Sequence, residues 1–170
     1  MNIIIIGTSG VGKTTLAKQI AAKLGLKHIS LDHLKWLPNW ESVDGQTLRA
    51  RVDQVTKNSD WVIDGNYGSV RDILWPRADV AIWLDYSLAQ ALWGAFRRIS
   101  RGSYQAEGCR DSFLRALTKD SIFLWIFKSH WRHKKEYTAL FKNNIYPNLR
   151  VIRLKKRPNI ESLVHELSAK

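Results

Sequence analysis

The chain of 170 residues contains one cysteine, Cys109, so no disulfide can form within it. That excludes the disulfide-stapled secreted scaffolds and suits a reducing compartment. Long hydrophobic runs are absent too. The longest, Ile122 to Phe127, is far too short to span a bilayer. No basic-then-apolar leader with a small-residue cleavage site precedes the first hydrophobic run, so a secretory signal is not expected and the chain reads as cytoplasmic. There is no internal repeat, low-complexity tract or linker, and the length suits one domain over residues 1–170. Acidic residues are scarce, with 15 Asp and Glu against 27 Lys and Arg, a net charge of +12. The deficit is local: from Met1 to Phe96 there are 10 basic and 9 acidic residues, and from Arg97 to Arg157 there are 16 and 4. A segment that basic attracts polyanions, whether nucleotide phosphates, nucleic acid or an acidic surface.

What the chain does have comes early. Gly7-Thr8-Ser9-Gly10-Val11-Gly12-Lys13-Thr14 matches G-x-x-x-x-G-K-[ST], the phosphate-binding loop. The β-branched run Ile3–Ile6 before it reads as a strand buried on both faces. After it, Leu16, Ala17, Ile20, Ala21 and Leu24 recur at helical spacing, with Gly25 placed as a C-cap. Strand, glycine loop and helix in that order are what phosphate binding requires. The glycines let backbone N–H groups turn toward phosphate oxygens, and the helix N-terminus adds its dipole. Gly7, Thr8, Ser9, Gly10, Val11, Gly12, Lys13, Thr14 and Thr15 are therefore expected to hold a nucleoside triphosphate. Lys13 reaches its β- and γ-phosphates, and the Thr14 hydroxyl ligates Mg²⁺.

Downstream the pattern alternates. His28–Asp32 reads as a strand, then a loop carries Trp36, Pro38 and Trp40, and Leu48, Val52 and Val55 mark a helix. Trp61–Asp64 is a third strand, broken by the turn-rich Gly65-Asn66-Tyr67-Gly68. Val80–Leu84 is a fourth; Ser87 and Gln90 form a capping box ahead of a helix with an apolar stripe of Leu88, Leu92, Phe96 and Ile99. A polar, glycine-containing loop spans Arg101 to Asp111, and two helical stretches follow, Phe113–Phe127 and the basic His130–Lys142. Asn148–Leu154 is the fifth strand, and Pro158 and Asn159 open a last helix. Such alternation predicts an α/β fold with a parallel sheet covered on both faces. Ligands then sit beyond the carboxyl ends of the strands, which places Asp32, Asp64 and Asp85 near the phosphate loop.

Asp64 ends an apolar strand as the second acidic motif of a phosphate-loop protein does, and is expected to hold Mg²⁺ with Thr14. Asp32 is placed to accept a proton from a substrate hydroxyl or to orient that substrate. Asp85 reads instead as part of the turn before the capped helix. Trp36 and Trp40 offer a stacking wall, and Asn66, Tyr67 and Arg71 offer polar contacts to an acceptor. Arg98 and Arg101, at the junction of a helix and a glycine-containing loop, are expected to neutralise charge on a transferring phosphoryl group, with Arg97 and Arg110 as weaker candidates. Lys155, Lys156 and Arg157, after the fifth strand, either border the adenine or form a solvated basic run, the second being preferred. His130 and His133 lack the partners of a zinc site, and Cys109 has no adjacent base.

Leu31-Asp32 leading into Trp36-Leu37-Pro38-Asn39-Trp40, then Ile63-Asp64-Gly65-Asn66-Tyr67 and Glu107-Gly108-Cys109, together with the phosphate loop, resemble a bacterial family over essentially the whole chain. These are the adenylate kinase-like phosphate-loop proteins called DNA topology modulation proteins, of the FlaR type. The resemblance implies a nucleoside-monophosphate-kinase-like P-loop fold with a five-stranded parallel sheet in the order 2-3-1-4-5. It also implies an acceptor-binding region and an arginine-bearing lid, here around residues 97–112. It assigns Lys13 and Thr14 to ATP and Mg²⁺, Asp64 to the metal, and Arg98 and Arg101 to the lid. Adenylate kinases proper continue the third strand as D-G-F-P-R; here Asn66 and Tyr67 follow Gly65, and adenosine monophosphate is not implied as the acceptor.

The expected function is ATP-dependent transfer of the γ-phosphoryl group to a nucleoside monophosphate or a hydroxyl metabolite, with Lys13, Asp32, Arg98 and Arg101 as catalytic residues. The rival is a nucleic-acid-associated protein in which ATP acts as a switch, drawn from the basic region and its interleaved Trp125, Trp131 and Tyr137. No recognisable DNA-binding motif supports it. A GTPase switch is weaker still, because no N-K-x-D segment is present.

Overall fold

In a computed structural model, residues 1–58, 60–101, 104–106, 109–110 and 122–169 are described, residues 104–106 and 109–110 by backbone alone. The run Ile3–Ile6 has no polar face to give to solvent, and it forms the centre of the sheet as β1 (Asn2–Gly7). Next come α1 (Lys13–Leu24), β2 (Lys27–Ser30), α2 (Leu31–Lys35), α3 (Gly45–Val55), β3 (Trp61–Asp64), α4 (Arg71–Leu74) and β4 (Val80–Leu84). Then follow α5 (Leu88–Ser100), the short strands β5 (Tyr104–Ala106) and β6 (Cys109–Arg110), α6 (Ile122–Lys142), β7 (Arg150–Leu154) and α7 (Ile160–Ser168). Five strands form one parallel sheet in the order β2-β3-β1-β4-β7, which is 2-3-1-4-5 when its strands are counted along the chain. β5 and β6 pair separately as an antiparallel hairpin.

Period-two alternation divides the core. Ile3, Ile5, Val62, Ile82 and Ile152 pack on Leu16, Ile20, Ala91, Ala95, Ile126 and Leu163 on one face. Ile4, Ile6, Ile63, Ala81 and Trp83 pack on Leu48, Val52, Leu74, Trp75 and Tyr137 on the other. The helix boundaries are written in cap chemistry. Gly25 closes α1 with its N–H on the Ala21 carbonyl, Asp44 accepts from the Gln46 and Thr47 N–H groups, Ser87 and Gln90 make a reciprocal capping box, and Asn159 caps α7.

Several local expectations change. β2 stops at Ser30, so Asp32 lies in the first turn of α2 rather than at the strand end. Trp40 belongs to a single 3₁₀ turn, Pro38–Trp40, not an open loop. The segment after Tyr67 is helical, through two 3₁₀ turns and α4, where strand-ending turn chemistry had obscured it. The buried face of α5 is Ala91, Ala95 and Ile99, and Phe96 is exposed, because small residues permit an approach that a large-residue stripe would prevent. The two stretches expected after the polar loop join into one helix, α6, from Ile122 without a break at Ser129; residues 113–121 lie outside the described residues. No helix among the described residues is long and apolar enough to cross a membrane.

That close approach is between backbones. A Cβ built on Gly94 of α5 would lie 1.9 Å from the carbonyl oxygen of Gly10 in the phosphate loop, and one on Gly10 would lie 2.2 Å from the Ala91 carbonyl oxygen. Helix α5 is thus seated directly on the loop, with no side chain between them. In an open helix, Gly→Ala gains about 1 kcal/mol of propensity. At Gly94 the overlap with backbone outweighs that gain. Gly94→Ala is expected to lower stability by about 1–3 kcal/mol in urea unfolding and to weaken ATP binding. Gly45→Ala, where an added Cβ meets nothing within 4 Å, is expected to raise stability by about 0.5–1 kcal/mol.

Candidate active site

The phosphate loop joins β1 to α1, and its positive backbone dihedrals (φ of 86° at Gly10 and 92° at Gly12) need glycine. Lys13 begins α1 and folds back, donating to the carbonyls of Gly7 at 2.9 Å and Thr8 at 3.1 Å. Burial lowers its pKa; the carboxylates of Asp32 and Asp64 act against that, and Arg98 adds to it. The Thr14 hydroxyl donates to Asp64 Oδ2 at 2.6 Å, and His28 Nε2 lies 2.7 Å from Asp64 Oδ1. Asp64 is 1% exposed, so its carboxylate is held between β2 and the first turn of α1. The Thr14 hydroxyl and the Asp64 carboxylate are hard oxygen donors side by side, which fits the ligand chemistry of Mg²⁺.

Arg97, Arg98 and Arg101, at the end of α5, and Arg157, after β7, line the same cleft of about 500 Å³ as Lys13, Thr14 and Asp32. Arg157 also borders an adjoining recess of about 270 Å³ formed with Val11, Thr15, Gln19, Tyr86 and Pro158. Arg157 is thus exposed and yet lines the cleft, so of the two readings of Lys155–Arg157 the one that borders the nucleotide gains support at this residue. Arg110 is in β6, where only the backbone is described; Cys109 is its neighbour. The backbone of β5 lies against α2, and that of β6 against the Pro38–Trp40 turn. Asp85 is buried in an ion pair with Arg153 at 2.5 Å, with Lys134 Nζ 3.8 Å away, a structural role matching its turn reading.

Asn66 bonds to Gly7 twice. Its Oδ1 accepts from the Gly7 N–H at 3.1 Å, and its Nδ2 donates to the Gly7 carbonyl. The side chain copies the pairing a further strand residue would make, and ties the turn after β3 to the first residue of the loop. Tyr67 points the other way. Its hydroxyl donates to Asp32 Oδ1 at 2.6 Å and accepts from Trp36 Nε1 at 3.0 Å. Burial and then the Asp32 charge hold the Tyr67 phenol well above its ordinary pKa, so it stays a donor. Trp36 and Trp40 meet edge to face at 5.5 Å. Asp32, Trp36, Trp40 and Tyr67 therefore form one connected group. Arg71 makes an ion pair with Glu136 of α6 at 2.5 Å, and its guanidinium lies 5.1 Å from the Trp75 ring.

Helix α6, about 30 Å long at 1.5 Å per residue, passes from one core to the other. Ile126 packs with the first, and Tyr137 with the second. Between them His130 Nδ1 lies 3.3 Å from the hydroxyl of Thr8 in the phosphate loop. His133 stacks on Tyr137, and its buried Nδ1 has no hydrogen-bond partner among the described residues. Burial first, then Arg132 and Lys13, push the His133 pKa down to about 4; burial and Lys134 lower that of His130. His28, His130, His133 and Glu136 were not singled out as site residues. Only pairing across the fold reveals them, and no local motif marks them. Tyr137, read as one of the interleaved aromatics of a nucleic-acid face, is buried, whereas Trp125 and Trp131 are exposed.

Asn66→Ala leaves the Gly7 N–H without its side-chain partner. It is expected to cost about 1–3 kcal/mol of stability and to weaken ATP binding, measured by urea unfolding and calorimetric titration. A second outcome concerns pH. The folded pKa of His133 is depressed from 6.5 to about 4, so the unfolded chain takes up its proton first on acidification. The stability this neutral form contributes is complete above pH 6.5 and lost as pH falls toward 4. Unfolding midpoints across that range should fall less steeply in His133→Gln than in the native chain.

The family model for the ATPases associated with various cellular activities (AAA) matches residues 3–65, the segment from β1 through β3 that carries the phosphate loop and Asp64. A protein of Pyrococcus furiosus named as an adenylate kinase is 37% identical over 73 residues, 39% of this chain and 41% of its own length. The chain thus spans about two fifths of that relative. A shikimate kinase of Actinobacillus pleuropneumoniae is 28% identical over 134 residues, 69% of this chain and 76% of its own. Among solved structures, the deoxyadenosine kinase of M. mycoides with bound dATP superposes with a TM-score of 0.57 at 16% identity, over 98% of this chain and 97% of that one. At that identity the likeness speaks for the fold. The nucleic-acid reading gains no support from these relatives. In its loop and fold the chain resembles the P-loop NTPases, and in sequence it is similar to an adenylate kinase and a shikimate kinase over the stretches given.

Proposed function

We propose that the protein transfers the γ-phosphoryl group of ATP, with Mg²⁺, to a small acceptor held between the Trp36–Trp40 segment and the Asn66–Tyr67 turn. The observation that carries this reading is a shared cleft lined by Lys13, Thr14, Arg98, Arg101 and Asp32, with Asp32 tied to Tyr67 and through it to Trp36. A protein that only bound and hydrolysed a nucleotide would have no use for that last, aromatic-lined group. On this reading the chain works as one kinase domain over residues 1–170, with a basic lid around 97–112. The motif resemblance to the DNA topology modulation proteins supports that assignment.

In the proposed mechanism, Lys13 leaves the Gly7 and Thr8 carbonyls for the β- and γ-phosphates. Asn66 keeps the Gly7 carbonyl satisfied when it does. Thr14 and Asp64 would hold Mg²⁺, which supplies positive charge to the phosphate oxygens. Arg98 and Arg101 add charge where the transferring group becomes anionic, and Asp32 orients the acceptor. Catalysis on this account is positioning and electrostatics.

The test is ADP release from Mg-ATP with and without candidate acceptors. Stimulation by an acceptor in the native chain is expected, falling by about a hundredfold or more in Lys13→Ala with the fold retained by circular dichroism. Release that ignores every acceptor and survives in Lys13→Ala would remove the proposal.

A further inference from the structure

The acceptor side of the site is poor in available positive charge. From Leu31 to Leu74 there are five Lys or Arg and seven Asp or Glu. Each of the five cations is engaged. Lys35 donates to the Val43 carbonyl, Arg51 to the Leu34 carbonyl, Arg49 to Asp72, and Lys57 lies by Asp53. Arg71, which lines a small cavity with Asn66 and Tyr67, is paired with Glu136 at 2.5 Å. His133, which feels both Arg71 and Glu136, is uncharged at neutral pH because burial pushes its pKa down to about 4. Arg97, Arg98, Arg101 and Arg157 line one cleft with Lys13, Thr14 and Asp32, and on the kinase reading their charge is taken up by the triphosphate. Facing the acceptor instead are a carboxylate, Asp32, a phenol that stays protonated, Tyr67, and the Trp36 and Trp40 rings.

A phosphate ester placed beside Asp32 would meet like charge, and every Lys and Arg between Leu31 and Leu74 is already engaged. A neutral hydroxyl compound meets a carboxylate that takes up its proton and aromatic faces that cover its apolar side. We propose that the acceptor is an uncharged hydroxyl compound of the nucleoside or sugar class, not a monophosphate, and that Tyr67 and Trp36 are positioning residues that hold Asp32 toward its hydroxyl. This rests on the kinase reading above and narrows its substrate. In the transfer, the acceptor oxygen forms a bond to the γ-phosphorus while the bond from that phosphorus to the bridging oxygen breaks. ADP leaves with the electron pair, and the hydroxyl proton passes to Asp32 and then to water. Glu136 carries the specificity, because it neutralises Arg71, the arginine that shares a cavity wall with Tyr67 among the described residues.

The experiment uses the full chain with Mg-ATP and matched pairs that differ only by a phosphate: adenosine and its 5′-monophosphate, thymidine and its 5′-monophosphate, glucose and glucose 6-phosphate, ribose and ribose 5-phosphate. ADP release is followed, and products are weighed by mass spectrometry. The unphosphorylated member of at least one pair is expected to be better by about tenfold or more in kcat/KM, yielding a phosphate monoester. Tyr67→Phe should lower kcat for that acceptor by about tenfold or more while KM for ATP holds. Glu136→Gln, at a half-exposed position, should narrow the discrimination within the pair by lowering KM for the phosphorylated member, as Arg71 is released. Several results overturn the inference while leaving the kinase reading intact: preference for the monophosphate, a product carrying a diphosphate, or Glu136→Gln without effect on the discrimination. Equal loss of kcat and ATP affinity in Tyr67→Phe would make Tyr67 structural and remove its positioning role. If no member of any pair raises ADP release above the rate with ATP alone, the kinase reading itself falls, and the substrate inference with it.

Discussion

The backbone of Gly7 is the point on which the site depends. Its carbonyl accepts from Lys13 and from Asn66, and its N–H donates to Asn66. One residue thus joins the end of β1, the lysine of the phosphate loop and the turn that follows β3. The double bond from Asn66 leaves the carbonyl satisfied whichever way Lys13 points, so the lysine can move without stranding a buried acceptor. The next residue along, Tyr67, holds Asp32. Two adjacent side chains on one turn therefore reach Gly7 of the phosphate loop and Asp32 of α2.

Close packing around the loop enforces the same geometry. Gly94 brings the backbone of α5 against Gly10, so the arginines at the end of α5 are placed relative to the loop by backbone contact and not by long side chains. Helix α6 braces the opposite side, touching Thr8 through His130 and Arg71 through Glu136. The basic third quarter of the chain, taken by itself an invitation to polyanions, is divided by this packing. Some of its charge lines the cleft, while Lys134 and Arg153 are drawn to Asp85.

How much of this could be read beforehand follows the range of the interactions. The phosphate loop, the five strands of the parallel sheet and the caps at Gly25, Ser87 and Asn159 are local, each decided within a few residues, and were legible; the cap at Asp44 and the β5–β6 hairpin, inside a stretch read as a loop, were not. Asp32, Trp36, Tyr67 and Arg71 were legible as polar or aromatic side chains at strand mouths, but their connections were not. Tyr67 lies 35 residues from Asp32 and Glu136 lies 65 from Arg71, distances at which no spacing rule operates. The buried face of α5 was misread because exposure of Phe96 follows from the nearness of a glycine loop, which hydropathy does not encode.

The sequence by itself determined the α/β class, the phosphate-binding loop with Lys13 and Thr14, and the acidic partner at Asp64, since each rests on backbone conformation and chemistry carried within a short segment. Only the tertiary structure decided that His28 would meet Asp64, that Asn66 would brace Gly7, and that Glu136 would neutralise Arg71. Those contacts arise where parallel strands end side by side and a long helix crosses above them, and the identity of neighbours there depends on register and packing that no single segment contains.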